Sequence, residues 1–170
     1  VTTKADAVLV HHGYFWRGED MRITGMKSRR IALLMTHSIN LFAYHLPLDV
    51  HPQFGNNALL GKKLGLIETG RFGDQGIAVQ GELTQATTLS ALGEKISRTL
   101  LRKPMMIGDR NKIIRQIAWC TGAAQSYFEA AIQQGVDAFI TGEISEQSVH
   151  AARESGVAFI AAGHHATERY

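Results

Sequence analysis

Cysteine and long apolar runs are scarce in this chain, and both absences limit what the protein can be. Cys120 is the single cysteine among 170 residues, which excludes an intramolecular disulfide framework and favours a reducing compartment. No stretch approaches the roughly 18 consecutive apolar residues that a membrane helix needs, and no signal-peptide pattern opens the chain. We therefore expect a cytoplasmic protein that does not enter a membrane.

A strong charge of either sign is also missing. The 18 lysines and arginines nearly balance 15 acidic residues, which leaves a formal net charge of +3. Basic residues cluster at 26–30 and 97–103, but both segments have helical patterns, so solvated helix faces are favoured over a nucleic-acid patch. With 45% apolar and 19% charged residues, the composition is that of an ordinary globular protein. The length favours one domain or slightly more.

Histidines are the most informative residues that are present. Five of the eight stand at or just beyond the ends of apolar, strand-like runs: His11, His12, His45, His164 and His165. The first run, residues 8–10, indicates a strand buried on both faces of a parallel sheet. His11 and His12 follow it at the end where open α/β sheets bind ligands. For this pair taken alone, a solvated loop histidine beside a core histidine is an equally good interpretation.

The chain contains an internal repeat. Residues 5–15 and 136–146 each have an Asp-Ala pair, a three-residue apolar strand and a polar or glycine-containing turn. Each copy continues with a helical stretch and a second strand, which ends in a histidine with a carboxylate four residues later. These pairs are His45 with Asp49 and His164 with Glu168. The repetition predicts an α/β fold that is internally duplicated into two similar α/β lobes.

The two copies differ in what surrounds them. A strand, a glycine turn and an amphipathic helix precede the second copy at residues 113–135, and nothing equivalent precedes the first. The chain also stops directly after its last site-like motif, without a closing helix. We therefore expect a chain that is truncated at both ends. Its first lobe would be 1–60, lacking the N-terminal strand and helix, followed by a connecting segment at 61–112 and a second lobe at 113–170.

The region between the copies is less regular. Residues 51–65 predict a turn that leads into a short helix. The turn formers are Pro52, Gly55, Asn56 and Asn57. Residues 68–76 predict a loop. Apolar residues at helical spacing predict an amphipathic helix over 88–103, which Pro104 ends.

Imidazole and carboxylate groups follow three of the strand-like runs. A mixed nitrogen and oxygen donor set suits zinc, manganese or iron(II) rather than calcium or copper(I). Five or more donors exceed what one catalytic ion needs, which favours two divalent ions and a bridging carboxylate. A lone histidine at a strand end is usually structural, but the repeated pairs together predict a metal site in the cleft between the lobes. His164 and Glu168 would share one helix face if a helical turn begins at residue 164.

Three further features have two interpretations each. Glu143 occupies the strand-end position that matches the histidine pair, and it is either an orienting group or general base for the site, or a carboxylate placed favourably at a helix start. Residues 120–126 follow a strand and open a helix, so they either bind an anion or simply pack tightly, and packing is favoured. Cys120 is better explained as a small buried residue than as a nucleophile.

Four segments in the same order resemble the GTP cyclohydrolase 1 type 2 homologue family, especially its short bacterial members. They are VLVHHGYFWRG, NLFAYHLPLDVHPQFGNNALLG, DAFITGEISEQ and AAGHHATERY. The resemblance covers nearly the whole chain. It implies a duplicated α/β fold, a ring-shaped homohexamer and a dinuclear metal site that faces the central cavity.

The resemblance also implies a ligand set. The implied metal ligands are His11, His12, Asp49, His164 and Glu168. Glu168 would bridge the two ions, with His12 and Asp49 on one ion and His11 and His164 on the other. Family members normally have an N-terminal strand and helix and a C-terminal helix that this sequence lacks. The region 50–112 is too short for the extra domain of longer relatives.

The function that these patterns favour is metal-dependent hydrolysis of a nucleotide-like or other small phosphorylated substrate. Two ions would lower the pKa of a shared water and polarise the bond under attack. His45 and Glu143 would transfer protons or orient the ligating imidazoles. The alternative from another class is a ring-shaped scaffold with structural metals, which would engage nucleic acid through its basic helices. The donor set is compatible with zinc, iron or manganese, and no membrane partner is expected.

Overall fold

The chain divides into two compact units. The structure is a computed structural model that describes residues 3–170, so residues 1 and 2 of the predicted first lobe lie outside it. The division falls between Val1–Leu48, called unit 1, and Asp49–Tyr170, called unit 2. The predicted lobe boundaries at residues 60 and 112 do not coincide with it. The reason is that the predicted connecting segment supplies strands to the sheet of unit 2.

Unit 1 is a β-α-β unit. Strand β1 (Ala7–Val10) pairs in parallel with β2 (Asn40–Ala43), and helix α1 (Gly25–Thr36) connects them. The helix covers most of the helical stretch that the sequence predicts after the first strand, including residues 26–30, so that prediction is confirmed. None of the described residues of unit 1 is buried. A short helix, α2 (Leu46–Val50), begins directly after His45 and runs across the boundary into unit 2.

Unit 2 is built on a six-stranded mixed sheet. Its strands are β3 (Leu66–Phe72), β4 (Ala78–Thr88), β5 (Met105–Ile107), β6 (Ile113–Trp119), β7 (Ala138–Thr141) and β8 (Ala158–Ala161). Its helices are α3 (Asn56–Leu64), α4 (Leu89–Leu100), α5 (Phe128–Gln133), α6 (Glu146–Ser155) and α7 (His164–Glu168). The spatial order of the strands is β3-β4-β6-β7-β8-β5. Strands β6, β7 and β8 are parallel, and the others pair antiparallel.

The core of unit 2 lies on both faces of this sheet. Successive strand side chains point to opposite faces. In β6, Ile117 and Trp119 join one hydrophobic cluster, while Ala118 and Cys120, the residue directly after the strand, join the other. Apolar residues of α3, α4 and α7 belong to the first cluster, and those of α5 and α6 to the second. Unit 2 is therefore a three-layer α/β/α structure.

Helix α4 shows how local sequence and packing agree. Thr88 caps its first turn, because the side-chain oxygen accepts a hydrogen bond from Ala91 N at 3.2 Å. Its buried face carries Leu92, Ile96 and Leu100, which recur at helical spacing. The helix ends before Pro104, and the prediction of an amphipathic helix here is confirmed.

The predicted loop at 68–76 is wrong in its first half, because β3 continues to Phe72. Glycine and charged residues give this segment a loop-like local pattern. Pairing with the long strand β4 overrides that pattern, and the register shifts between Glu68 and Gly70, which absorbs the irregularity as a bulge.

The internal duplication is visible in backbone geometry. In unit 1, Asn40 N donates to Asp6 O at 3.0 Å, and in unit 2 Ala158 N donates to Asp137 O at 2.9 Å. In both units a parallel strand pair with a connecting helix is followed by a five-residue helix, α2 or α7. The fold is thus α/β with a repeated β-α-β unit. Among residues 3–170, no helix is both long and apolar enough to cross a membrane.

Candidate metal centre

The backbone at the carboxyl ends of the three parallel strands of unit 2 is joined by hydrogen bonds, and we call this segment of backbone the strand-end row. Gly122, Gly142 and Gly163 follow β6, β7 and β8. Gly142 N donates to Gly122 O at 2.8 Å, and Gly163 N donates to Gly142 O at 3.0 Å. Ligands of open α/β sheets bind at this end of parallel strands, so the strand-end row is the base of the candidate centre.

Two of these positions leave no room for a side chain. Gly122 has a φ of +70°, and a Cβ there would collide with the carboxylate of Glu168. A Cβ on Gly142 would lie 2.6 Å from Gly122 O and from the Cα of His164. The absence of side chains therefore lets α7 and its ligand-type residues pack directly against the strand ends.

Thr167 connects α7 to the strand-end row by hydrogen bonds. It is fully buried, and its hydroxyl donates within the helix turn, to Gly163 O at 3.0 Å or His164 O at 2.8 Å. The same oxygen accepts a hydrogen bond from Gly122 N at 3.1 Å. One hydroxyl thus fixes the position of the short helix that carries His164 and Glu168.

His164 lies between two carboxylates. Glu143 Oε1 accepts a hydrogen bond from His164 Nδ1 at 2.7 Å, so Nδ1 carries a proton and the lone pair of a neutral ring resides on Nε2. Nε2 lies 3.0 Å from Glu168 Oε2. This confirms that His164 and Glu168 share one face of a helical turn. An imidazole that donates to a carboxylate and presents its other nitrogen is the usual arrangement of a metal-binding histidine.

Asp49 is the fourth ligand-type side chain of unit 2, and it is 5% exposed. Its Oδ1 accepts a hydrogen bond from Asn56 Nδ2 at 3.0 Å. Carboxylate oxygens of Asp49 and Glu168 lie within 4.8 Å of each other. Two carboxylates at this separation favour a cation bound to both, because their like charges otherwise raise the free energy of the ionised pair.

Asn56 and Asn57, interpreted as turn formers in the sequence, have a different role. They are buried at the start of α3. Asn57 Oδ1 accepts from Thr121 N at 2.8 Å, and its Nδ2 donates to Ile77 O at 2.8 Å. Asn56 therefore contacts Asp49 and Asn57 contacts the loop after β6, a role that the local sequence pattern does not indicate.

Four of the backbone amides of residues 120–126 are used for packing. Cys120 N donates to Ile140 O at 3.0 Å, and Ala124 N donates to the Thr141 hydroxyl at 3.2 Å. Together with the amides of Thr121 and Gly122, these donors are satisfied by the protein, which agrees with the packing interpretation. Cys120 is 2% exposed, and burial raises the pKa of its thiol to about 12, so the thiol stays protonated and is a poor nucleophile.

Unit 1 gathers three histidines. The ring centroid of His11 lies 4.7 Å from that of His12 and 5.0 Å from that of His45, and the His12–His45 separation is also 5.0 Å. One ring nitrogen of each lies within 4.8 Å of the other two. His11 Nδ1 lies 3.1 Å from Tyr44 O, which accepts its proton and leaves Nε2 as the lone-pair nitrogen. These three histidines form a group that could hold a metal ion.

His45 directly precedes α2 and Asp49 lies within that helix, whereas His164 and Glu168 are the first and last residues of α7. Glu143 lies three residues before α6 begins and contacts His164 instead of the helix start. The alternative of a helix-start carboxylate therefore does not apply. Sequence reasoning missed Thr167, Gly122 and Asn56, which hold the ligand-type residues in place.

Comparison with known proteins gives a consistent result along the whole chain. A family model described as Duf34/NIF3 (NGG1p interacting factor 3) matches residues 1–170. Proteins named GTP cyclohydrolase 1 type 2 homolog match at 54% identity in Neisseria meningitidis serogroup B, over 100% of this chain and 68% of the relative. In Escherichia coli strain K12 the identity is 51% over 97% of this chain and 66% of the relative.

A solved structure described as protein ybgI, of unknown function, has a similar fold. It superimposes with a TM-score of 0.93 at 50% identity over 99% of this chain and 68% of that chain. A protein from Thermus thermophilus matches with a TM-score of 0.79 at 28% identity, over 98% of this chain and 66% of that one. The present chain thus spans about two thirds of the length of these relatives.

Proposed function

Because the chain belongs to the Duf34/NIF3 family, we propose that it is a metal-dependent hydrolase with a dinuclear site. Its substrate would be nucleotide-like or another small phosphorylated molecule. The single observation that carries the proposal is the series Glu143–His164–Glu168, in which a carboxylate orients an imidazole whose other nitrogen meets a second carboxylate at 3.0 Å. The relatives' name, GTP cyclohydrolase 1 type 2 homolog, agrees with hydrolytic chemistry on a nucleotide.

The proposed ligands are those that the family resemblance implies. They are His11, His12, Asp49, His164 and Glu168. Nitrogen and carboxylate oxygen donors suit zinc, iron(II) or manganese, and the buried Asp49 and the nearby Glu168 supply negative charge for two divalent ions. Bound ions would lower the pKa of a water and polarise the bond under attack.

The residues beside the proposed ligands orient them or transfer protons. Glu143 keeps the proton of His164 on Nδ1, and Asn56 fixes one oxygen of Asp49. His45 lies beside His11 and His12, and we assign it either proton transfer or the orientation of the ligating imidazoles. Hydrolysis needs only water as a second reactant: the water oxygen bonds to the attacked atom, its proton passes to a base, and the leaving group takes up a proton.

Metal analysis of ligand variants tests the proposal. We expect two divalent ions per chain in protein purified without chelator or a nickel column, and loss of at least one ion in Asp49→Asn and Glu168→Gln with the fold retained. Glu154→Gln, an exposed carboxylate on α6, is the matched control and should keep both ions. Full metal content in either ligand variant would overturn the ligand assignment.

A substrate screen tests the chemistry. Metal-loaded protein is incubated with nucleoside triphosphates and phosphoesters, and products are separated by ion-exchange chromatography. We expect turnover that disappears in Glu168→Gln. Full metal occupancy without turnover of any nucleotide or phosphoester would favour the scaffold with structural metals.

The proposal includes assembly into a homohexameric ring, as the resemblance implies. Unit 1 has large apolar side chains at its surface, including Met21 at 87% and Met35 at 76% exposure, which agrees with burial against further protein. Light scattering coupled to size-exclusion chromatography should give a mass six times that of the chain. A monomer at micromolar concentration would contradict this part.

A further inference from the structure

Arg102 lies directly beside the candidate metal centre of unit 2. The chain turns out of α4 at Leu101, which has a φ of +51°, and brings the Arg102 side chain against the backbone of Gly163. A Cβ on Gly163 would collide with the Nε and Cδ of Arg102. Since Gly163 is the residue before His164, the guanidinium packs one peptide unit away from a proposed metal ligand.

The charge of Arg102 is not neutralised within the protein. Its side chain has no hydrogen bond or ion pair among residues 3–170, and the same is true of the neighbouring Lys103. Arg71 provides a contrast, because it pairs with Glu68 at 2.8 Å. Arg169 donates to Leu100 O and stacks near Tyr170. Arg102 is therefore an exposed cation that packs against Gly163 and has no acceptor for its N–H donors among residues 3–170.

Two cavities share Arg102 as a wall. One, of about 310 Å³, is lined by Arg102, Gly163, His164, His165 and Arg169 among others. The other, of about 500 Å³, is lined by Arg102, Lys103, Gly142 and Glu143 among others. Each cavity therefore contains Arg102 and one member of the hydrogen-bonded pair Glu143–His164.

The charged side chains that line these two cavities favour the binding of an anion. Arg102, Lys103 and Arg169 are cationic, and the one carboxylate in the two linings, Glu143, is already bonded to His164. A guanidinium presents two parallel N–H donors that match two oxygens of a phosphate, and an adjacent ammonium can reach a third oxygen. A carboxylate has only two oxygens and half the charge of a phosphate dianion, so it satisfies such a pair less well.

We propose that Arg102, assisted by Lys103, is the binding site for a phosphate group of the substrate. The inference rests on the proposed function, since it names the part of the phosphorylated substrate that is held while the reacting bond lies at the metal centre. It adds a residue to substrate recognition that neither the repeat nor the ligand pattern indicates. Arg102 would hold the phosphate without taking part in proton transfer.

Phosphate titration of metal-free protein tests this site apart from the metal chemistry. The probes are inorganic phosphate, phenyl phosphate and acetate, and the readout is the backbone ¹⁵N–¹H resonance of Gly163, against which Arg102 packs, in protein treated with chelator. We expect a saturable shift with both phosphates and weaker binding of acetate. Arg102→Ala should weaken binding of phenyl phosphate by about tenfold or more, because charge-assisted hydrogen bonds are lost, and Arg102→Lys should weaken it less.

Arg110→Ala is the matched control, because Arg110 is also an exposed cation, in the turn between β5 and β6. Arg110→Ala removes the same charge but leaves the contacts at Arg102 intact. If local contacts rather than net charge hold the anion, the affinity of this variant for phenyl phosphate should stay within about twofold of that of the parent protein. Equal phosphate affinity in Arg102→Ala and the parent, equal weakening in both alanine variants, or acetate binding as tight as phosphate would overturn the proposal. If the protein takes up no metal but still binds phosphate through Arg102, the phosphate site is supported and only the proposed dinuclear centre is contradicted.

Discussion

At the scale of single residues, the candidate centre depends on side chains that orient ligands rather than only on the ligands. Glu143 fixes the proton of His164 on Nδ1 through a 2.7 Å hydrogen bond. Gly122 leaves the space that the Glu168 carboxylate occupies. Neither residue needs to touch a metal to determine whether one binds.

Replacing Glu143 by glutamine tests the orienting role. The amide is nearly isosteric but no longer carries the charge that raises the basicity of the ring, so metal affinity should fall about 10- to 100-fold. Competition with a coloured chelator measures this affinity. Glu146→Gln, on the first turn of α6, should leave it unchanged, and an unchanged affinity in Glu143→Gln would show that His164 needs no such partner.

Gly122→Ala separates backbone strain from the clash with Glu168. A non-glycine residue at φ of +70° costs roughly 1–2 kcal/mol in the free energy of unfolding. Gly135 has the same φ of +70° and nothing near its Cβ position, so Gly135→Ala reports that strain alone. We expect Gly122→Ala to lose more stability than this control and to lose metal content as well. Equal urea midpoints with full metal content in both variants would refute the steric account.

At the scale of elements, helix α3 and the loop after β6 form one buried hydrogen-bonded unit. Asn57 is fully buried, and Trp119 Nε1 donates to its carbonyl oxygen at 2.9 Å. Its side chain bonds both Thr121 N and Ile77 O. The start of α3 thus holds Asn56 against Asp49. It also fixes the loop after β6, in which Gly122 lies against Glu168.

Asn57→Leu should therefore be strongly destabilising. Two buried backbone groups lose their partners, at about 1–3 kcal/mol each, so the free energy of unfolding should fall by about 2–6 kcal/mol. Asn111→Leu, at an exposed turn, should change it by less than about 0.5 kcal/mol. Urea denaturation followed by tryptophan fluorescence measures both, and a loss below about 1 kcal/mol in Asn57→Leu would mean that water replaces the lost hydrogen bonds.

At the scale of the whole molecule, buried structure is distributed unequally. Both hydrophobic clusters lie entirely in unit 2. In unit 1, by contrast, no described residue is buried, and apolar side chains such as Leu9, at 68% exposure, face outward. Local stability follows buried apolar contact.

Hydrogen exchange should reveal this difference. In the dissociated chain, amides of β1 and β2 should exchange faster than those of β6, β7 and β8 by several orders of magnitude, because opening unit 1 exposes little additional apolar surface. Mass spectrometry of exchanged peptides measures both sets in one sample. Comparable protection in the two units would mean that unit 1 is covered under the conditions of the measurement.

The sequence by itself determined the repeated β-α-β pattern, the main helices and the family, since these depend on local periodicity and on motifs read in order. It also placed His164 and Glu168 on one helical turn, because a spacing of four residues fixes their separation. Tertiary structure alone decided that residues 68–72 form a strand, that Asn56 and Asn57 are buried supports, and that Arg102 lies against Gly163. These depend on partners 6 to 64 residues away along the chain, and such tertiary contacts leave no periodic signal in the sequence.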